Sequence, residues 1–157
     1  MIDERDAQFL RQAFAVARRA REHGNYPFGS ILVSEHGEVL LEAENTVVSD
    51  NDCAGHAEVN LVRDAVRRFD PGVLSKGVVY ASAEPCAMCS GALFWGGIGR
   101  LVYGLSKRRA SEVERDRGAG PQLMLGCRTV LSAGERAVGV EGPALEEEAE
   151  LVLREEF

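Results

Sequence analysis

An α/β fold, a right-handed crossover sheet covered by helices, is what this sequence predicts, and three observations predict it. Short apolar runs of strand length alternate with longer stretches of helical period. Gly, Pro, Asn and Asp cluster between these stretches. The resulting β-α-β-α-β succession implies parallel strands joined through helices that pack on the sheet. With 157 residues and no repeat, low-complexity tract or linker, the chain reads as one domain, residues 1–157.

Each element has its own signal. Residues 3–22 put Phe9, Leu10, Ala13, Phe14, Val16 and Ala17 on one helix face with charges opposite, and His23-Gly24-Asn25 closes the helix. Phe28–Ser34 is a short apolar run, hence a buried strand. Glu35–Glu38 is a turn, and Val39–Asn45 returns as the second strand of a hairpin. From Ala54 to Phe69 the period is helical, with Ala57, Leu61, Val62, Ala65, Val66 and Phe69 inward, and Asp70-Pro71-Gly72 ends it. Gly77–Ser82 reads as a third strand, Cys86–Trp95 as a buried helix and Arg100–Tyr103 as a fourth strand. Lys107–Arg117 then reads as a charged helix and 118–121 as a Gly-Pro loop. Val138–Val140 suits an edge strand, and Pro143–Arg154 a closing helix with Pro143 at its start.

Composition narrows the function classes. With 45% hydrophobic and 27% charged residues, the chain is of soluble globular type. Its longest apolar runs, around Ile31–Val33 and Ala92–Trp95, are far too short to span a bilayer, so no membrane partner is expected. The opening Met1-Ile2-Asp3-Glu4-Arg5-Asp6 lacks the cationic-then-apolar order of a secretory signal, which makes the cytoplasm the expected location. The net charge is −7 and the basic residues are scattered, apart from Lys107-Arg108-Arg109 and arginines in the first helix. That balance argues against a nucleic-acid partner and for a small-molecule substrate. In a reducing compartment the four cysteines do not read as a disulfide framework. Cys53 and Cys127 stand alone and read as small buried hydrophobes.

Two segments carry chemistry. His56-Ala57-Glu58 opens the helix after the second strand, and Pro85-Cys86-Ala87-Met88-Cys89 opens the helix after the third. One imidazole and two thiolates, His56, Cys86 and Cys89, give a zinc ion three protein ligands and leave a fourth tetrahedral position open, the arrangement of a catalytic site. Cys86 and Cys89, three apart in a first helical turn, project to one side, where the helix dipole favours thiolates. Parallel βαβ units bring helix starts to one edge of the sheet, so His56 can reach the same ion. Glu58, two residues past the histidine, is placed to face the open position without coordinating, as a proton shuttle between water, a ring nitrogen and a leaving amine. A lone C-x-x-C fits a redox pair or half a structural zinc site equally well, and a lone H-x-E is weaker still. Together and in this order they match the H-x-E…P-C-x-x-C signature of zinc deaminases.

On these residues the chain resembles the cytidine and deoxycytidylate deaminase superfamily, in the branch of guanine, cytosine and tRNA adenosine deaminases. The resemblance runs from about Pro27 to Tyr103 and more loosely beyond. Pro27-Phe28-Gly29-Ser30-Ile31-Leu32-Val33 is similar to the first strand of guanine deaminases. Asn51-Asp52-Cys53-Ala54-Gly55-His56-Ala57-Glu58 is similar to the family's Asn-Asp-Pro-Thr-Ala-His-Ala-Glu, with Cys53-Ala54 replacing Pro-Thr. The resemblance implies a three-layer α/β/α sandwich with a mixed sheet of about five strands, one zinc per chain and a homodimer. It places Asn45 as a base-binding amide and the Ala57 and Cys86 N–H groups as donors to substrate oxygens. Glu84 is expected to support the metal shell, contact substrate or sit solvated. Phe28 and Trp95 either wall the pocket or join the core. The C-terminal segment, 143–157, implies a lid in which Phe157 caps the pocket and Glu155 or Glu156 meets the leaving amine, the alternative being a frayed helix end.

Three functional readings follow. The first is a deaminase of a free nucleobase-like ring: cytosine, guanine, isoguanine or an s-triazine such as ammeline. The second is a tRNA adenosine-to-inosine editor, which the acidic charge disfavours. The third, a non-catalytic zinc-binding interaction domain, is disfavoured by the intact Glu58.

Overall fold

The computed structural model describes residues 1–155. The helices α1 (Glu4–Glu22), α2 (Ala57–Arg68), α3 (Pro71–Lys76), α4 (Ala87–Trp95), α5 (Lys107–Asp116), α6 (Cys127–Ser132) and α7 (Glu146–Arg154) surround the strands β1 (Gly29–Val33), β2 (Val39–Glu44), β3 (Val78–Ala83), β4 (Arg100–Leu105) and β5 (Gly139–Glu141). The sheet order is β2-β1-β3-β4-β5. Strand β1 is antiparallel to both β2 and β3, whereas β3, β4 and β5 run parallel. It is the mixed five-stranded α/β sheet that the sequence predicts.

Alternation along the strands divides the core between two faces. Ile31, Val33, Tyr80 and Val102 pack with Leu10, Phe14 and Ala17 of α1, Ala110 and Val113 of α5, and Val152 and Leu153 of α7. Leu32, Val79, Ala81 and Leu101 pack on the other side with Leu61 and Ala65 of α2, Leu74 of α3, Leu93 of α4 and Leu131 of α6. Gly29 lets α1 lie close against the sheet: a Cβ there would sit 2.5 Å from the Ala17 backbone nitrogen.

Several boundaries differ from expectation for local reasons. Helix α2 starts at Ala57, three residues later than predicted, because the Asp52 carboxylate accepts the Ala54 N–H and turns the chain. The Asp70-Pro71 stop is also a start, with Asp70 preceding α3 and Pro71 at its first position. Pro143 does not begin the last helix. It follows a cis Gly142–Pro143 bond, Ala144 donates its N–H to the Gly104 carbonyl oxygen, and the helix waits until Glu146. Val66, predicted inward, is exposed.

At the start of α1, Asp3 and Asp6 cap each other reciprocally. The Asp6 carboxylate also accepts from the Tyr80 hydroxyl at 2.7 Å and from two Arg100 nitrogens at 2.9 Å each. Burial alone would push its pKa up, yet Arg100, Tyr80 and the Asp3 N–H hold it well below the usual carboxylate range. A depressed folded-state pKa contributes stability that is present above the unfolded value and lost as pH falls toward the folded one. We therefore expect Asp6→Asn to destabilise the fold by about 3 kcal/mol at pH 7, since it leaves Arg100 short of a charge partner. The difference from wild type should shrink below about pH 4. Denaturant melts at pH 7 and pH 3 check this; an equal loss at both would exclude the charge pair as the cause.

Candidate metal and active site

The topology brings the two chemical segments together. Strands β2 and β3 flank β1 and both run against it, so their carboxyl ends share one sheet edge with the start of β1. Helix α2 leaves β2 and α4 leaves β3, with His56 and Cys86 as their respective N-cap residues. Cys89 follows in the first turn of α4. Residues 45–56 are held by two asparagines. The Asn25 side-chain oxygen Oδ1 accepts from Val48 and Ser49 N–H groups, and the Asn60 side-chain NH₂ donates to Glu44, Thr46 and Gly55 oxygens.

His56 Nδ1 lies 3.5 Å from both the Cys86 and the Cys89 Sγ, and the two sulfurs are 3.6 Å apart. Among the described residues, these three form the His/Cys/Asp/Glu group close enough to hold a metal ion. Tetrahedral zinc at about 2.3 Å from sulfur and about 2.1 Å from nitrogen sets ligand-to-ligand edges of roughly 3.6–3.8 Å. The triangle fits zinc. The three groups also shift one another's protonation. Hydrogen bonding with Cys89 and His56 draws the Cys86 pKa down to about 3 against the opposing effect of burial. The Cys89 pKa moves up through the same hydrogen bond with Cys86 and through burial. The hydrogen bond to Cys86 raises His56.

Glu58 is buried, and burial pushes its carboxyl pKa up despite the neighbouring Cys89. It lines, together with His56, Ala57 and Cys86, a cleft of about 890 Å³. A second hollow of about 540 Å³, around Glu42, Glu44, Asn60 and Asp64, contains none of the three ligands.

A family model of the cytidine and deoxycytidylate deaminase zinc-binding region matches residues 3–105. The chain belongs to this deaminase family. The deaminase chain is 40% identical over 149 residues to a probable cytosine deaminase of Schizosaccharomyces pombe, covering 94% of itself and 90% of that relative. It is 36% identical over 106 residues to a tRNA-specific adenosine deaminase of Buchnera aphidicola, covering 68% of itself and 70% of that protein. The solved structure of a guanine deaminase from Nitrosomonas europaea superposes with a TM-score of 0.78, over 98% of this chain and 84% of that one. At 24% identity that likeness speaks for the fold.

The remaining residues of the deaminase singled out from sequence divide into those at the cleft and those elsewhere. Asn45 and Phe28 line it, and the Asn45 N–H donates to the Phe28 carbonyl oxygen. The Asn45 side-chain oxygen accepts the Val47 N–H, which leaves the NH₂ as the end available to a ligand. Phe28 also packs against the core. Trp95 fills neither of its expected roles: it is 85% exposed on α4, stacked edge-on against Phe94, and lies outside the cleft lining. Glu155 is also placed elsewhere, its carboxylate taken by Arg18 and Arg21 on α1. Glu156 and Phe157 lie outside the described residues. Glu84 lines the cleft, but both of its oxygens accept backbone N–H groups. Cys127 is buried as expected, whereas Cys53 is exposed at the cleft.

Among the cleft side chains that sequence reading did not single out are Lys107 and Glu114 on α5. Their spacing of seven residues puts them on one helix face, and that was the signal available. Burial pushes the Glu114 pKa up, against the pull of Lys107.

Proposed function

We propose that this chain is a zinc-dependent hydrolytic deaminase of a free nucleobase, exchanging an exocyclic amine for oxygen with release of ammonia. The observation that carries the reading is the His56, Cys86 and Cys89 triangle beside a buried carboxylate in one cleft. His56, Cys86 and Cys89 would hold the metal. When bound, zinc supplies Lewis acidity that makes water nucleophilic at neutral pH. Glu58 takes a proton from the attacking water and gives it to a ring nitrogen, then takes the remaining hydroxyl proton and gives it to the departing amine, which leaves as ammonia while the carbon–oxygen bond becomes a carbonyl. Its desolvation favours the protonated form needed for that delivery. Asn45 donates to a ring carbonyl, Phe28 covers a ring face, and Glu114 offers an acceptor to ring N–H groups.

A cleft of about 890 Å³ has room for a ring of nucleobase size. Cytosine leads the candidates, since the relative matched along nearly the whole chain is named a probable cytosine deaminase. Guanine, isoguanine and ammeline follow. Purified, zinc-loaded protein incubated with each base should release ammonia from at least one. Turnover confined to a tRNA anticodon stem-loop would discard the free-base reading. Among the described residues, no helix is long and apolar enough to cross a membrane. The free thiols Cys53 and Cys127 suit a reducing compartment such as the cytoplasm.

The reading includes a homodimer. Met88 and Trp95 expose an apolar face on α4, a site fitted to a second copy of the chain. Sedimentation should give a dimer, and Trp95→Glu should shift it toward monomer; a monomeric wild type would end this part of the proposal.

A further inference from the structure

We infer that Glu84 is a positioning residue that ties the α5–α6 wall of the cleft to the segment bearing the cysteine ligands. The inference rests on the deaminase reading above. Glu84 follows β3 directly and stands one proline ahead of Cys86. Its N–H donates to the Leu105 carbonyl oxygen at 2.7 Å. Its Oε1 accepts the Lys107 N–H at 3.0 Å and its Oε2 accepts the Cys127 N–H at 2.9 Å. Lys107 is the first residue of α5 and Cys127 the first of α6. N–H groups at a helix start lack partners within the helix, and an ionised carboxylate is a strong acceptor for them.

One side chain thus closes both ends of the stretch from 107 to 127. Within it Lys107, Glu114 and Leu123 line the cleft. Gly126 permits the approach, because a Cβ there would sit 3.2 Å from Glu84 Oε2. With both oxygens engaged on backbone, Glu84 acts on substrate through the wall it holds. Loosening it should weaken substrate capture more than the chemical step, which depends on Glu58 and the metal ligands.

The test is Glu84→Gln, which keeps the size and one acceptor oxygen but turns an NH₂ toward the second N–H. We expect KM for the best base to rise about 10-fold, kcat to stay within about threefold and zinc to remain stoichiometric. Amide hydrogen exchange at Lys107 and Cys127 should speed up by about 10-fold or more. Glu84→Ala should exaggerate both effects; if that variant does not fold, the Gln variant decides alone. Unchanged KM with unchanged exchange would overturn the inference. Loss of zinc with a parallel fall in kcat would overturn it too, by placing the action of Glu84 on the metal. The exchange measurement needs no turnover, so it tests the tie even if wild type proves inactive on every base.

Discussion

Replacing Glu58 with Gln is expected to lower kcat by about 10²–10⁴-fold while one zinc per chain is retained. The amide has the carboxyl's shape but cannot carry the proton from water to ring to leaving amine. Glu58 is buried at the cleft wall, so bulk water cannot readily substitute for it. Zinc retention is expected because Glu58 is not part of the His56, Cys86 and Cys89 group that could hold the ion. Steady-state kinetics with elemental analysis of the same preparation checks this. A residual rate within tenfold of wild type would remove Glu58 from proton transfer.

Cys89→Ala should remove activity through the metal itself. It deletes one of the triangle's three donors, all about 3.5 Å apart. Apparent zinc-binding energies of about 10–16 kcal/mol shared over four ligands imply a loss in affinity of roughly 10²–10³-fold. The fold should persist, because the two apolar layers on either side of the sheet do not depend on the ion. Melting temperature should fall only by the binding energy forgone. Zinc titration and circular dichroism read the two effects apart. A variant that kept zinc as tightly as wild type would show that the sulfur is not a ligand.

The candidate metal group was legible in the sequence because its parts are local. His56 and Glu58 sit two apart, Cys86 and Cys89 three apart, and each set opens a helix. The strands were legible as apolar runs and the parallel crossovers from their alternation with helices, but the sheet order, with β1 between β2 and β3, was not. Helices α3 and α6, six residues each, are too short to show a period. Trp95, Glu84 and Glu155 eluded prediction for another reason. Their surroundings are not set by local sequence: Glu84 answers to Lys107 and Cys127, Glu155 to Arg18 and Arg21, and Trp95 stands exposed on α4 against Phe94. Cys53 lies in a loop, where no periodicity marks inside from outside.

X-ray absorption at the zinc edge tests the central claim most directly. The account predicts one zinc per chain with two sulfurs at about 2.3 Å and two lighter atoms, nitrogen or oxygen, at about 2.0–2.1 Å. A shell of four sulfurs, or protein prepared with zinc present that binds none, would contradict it.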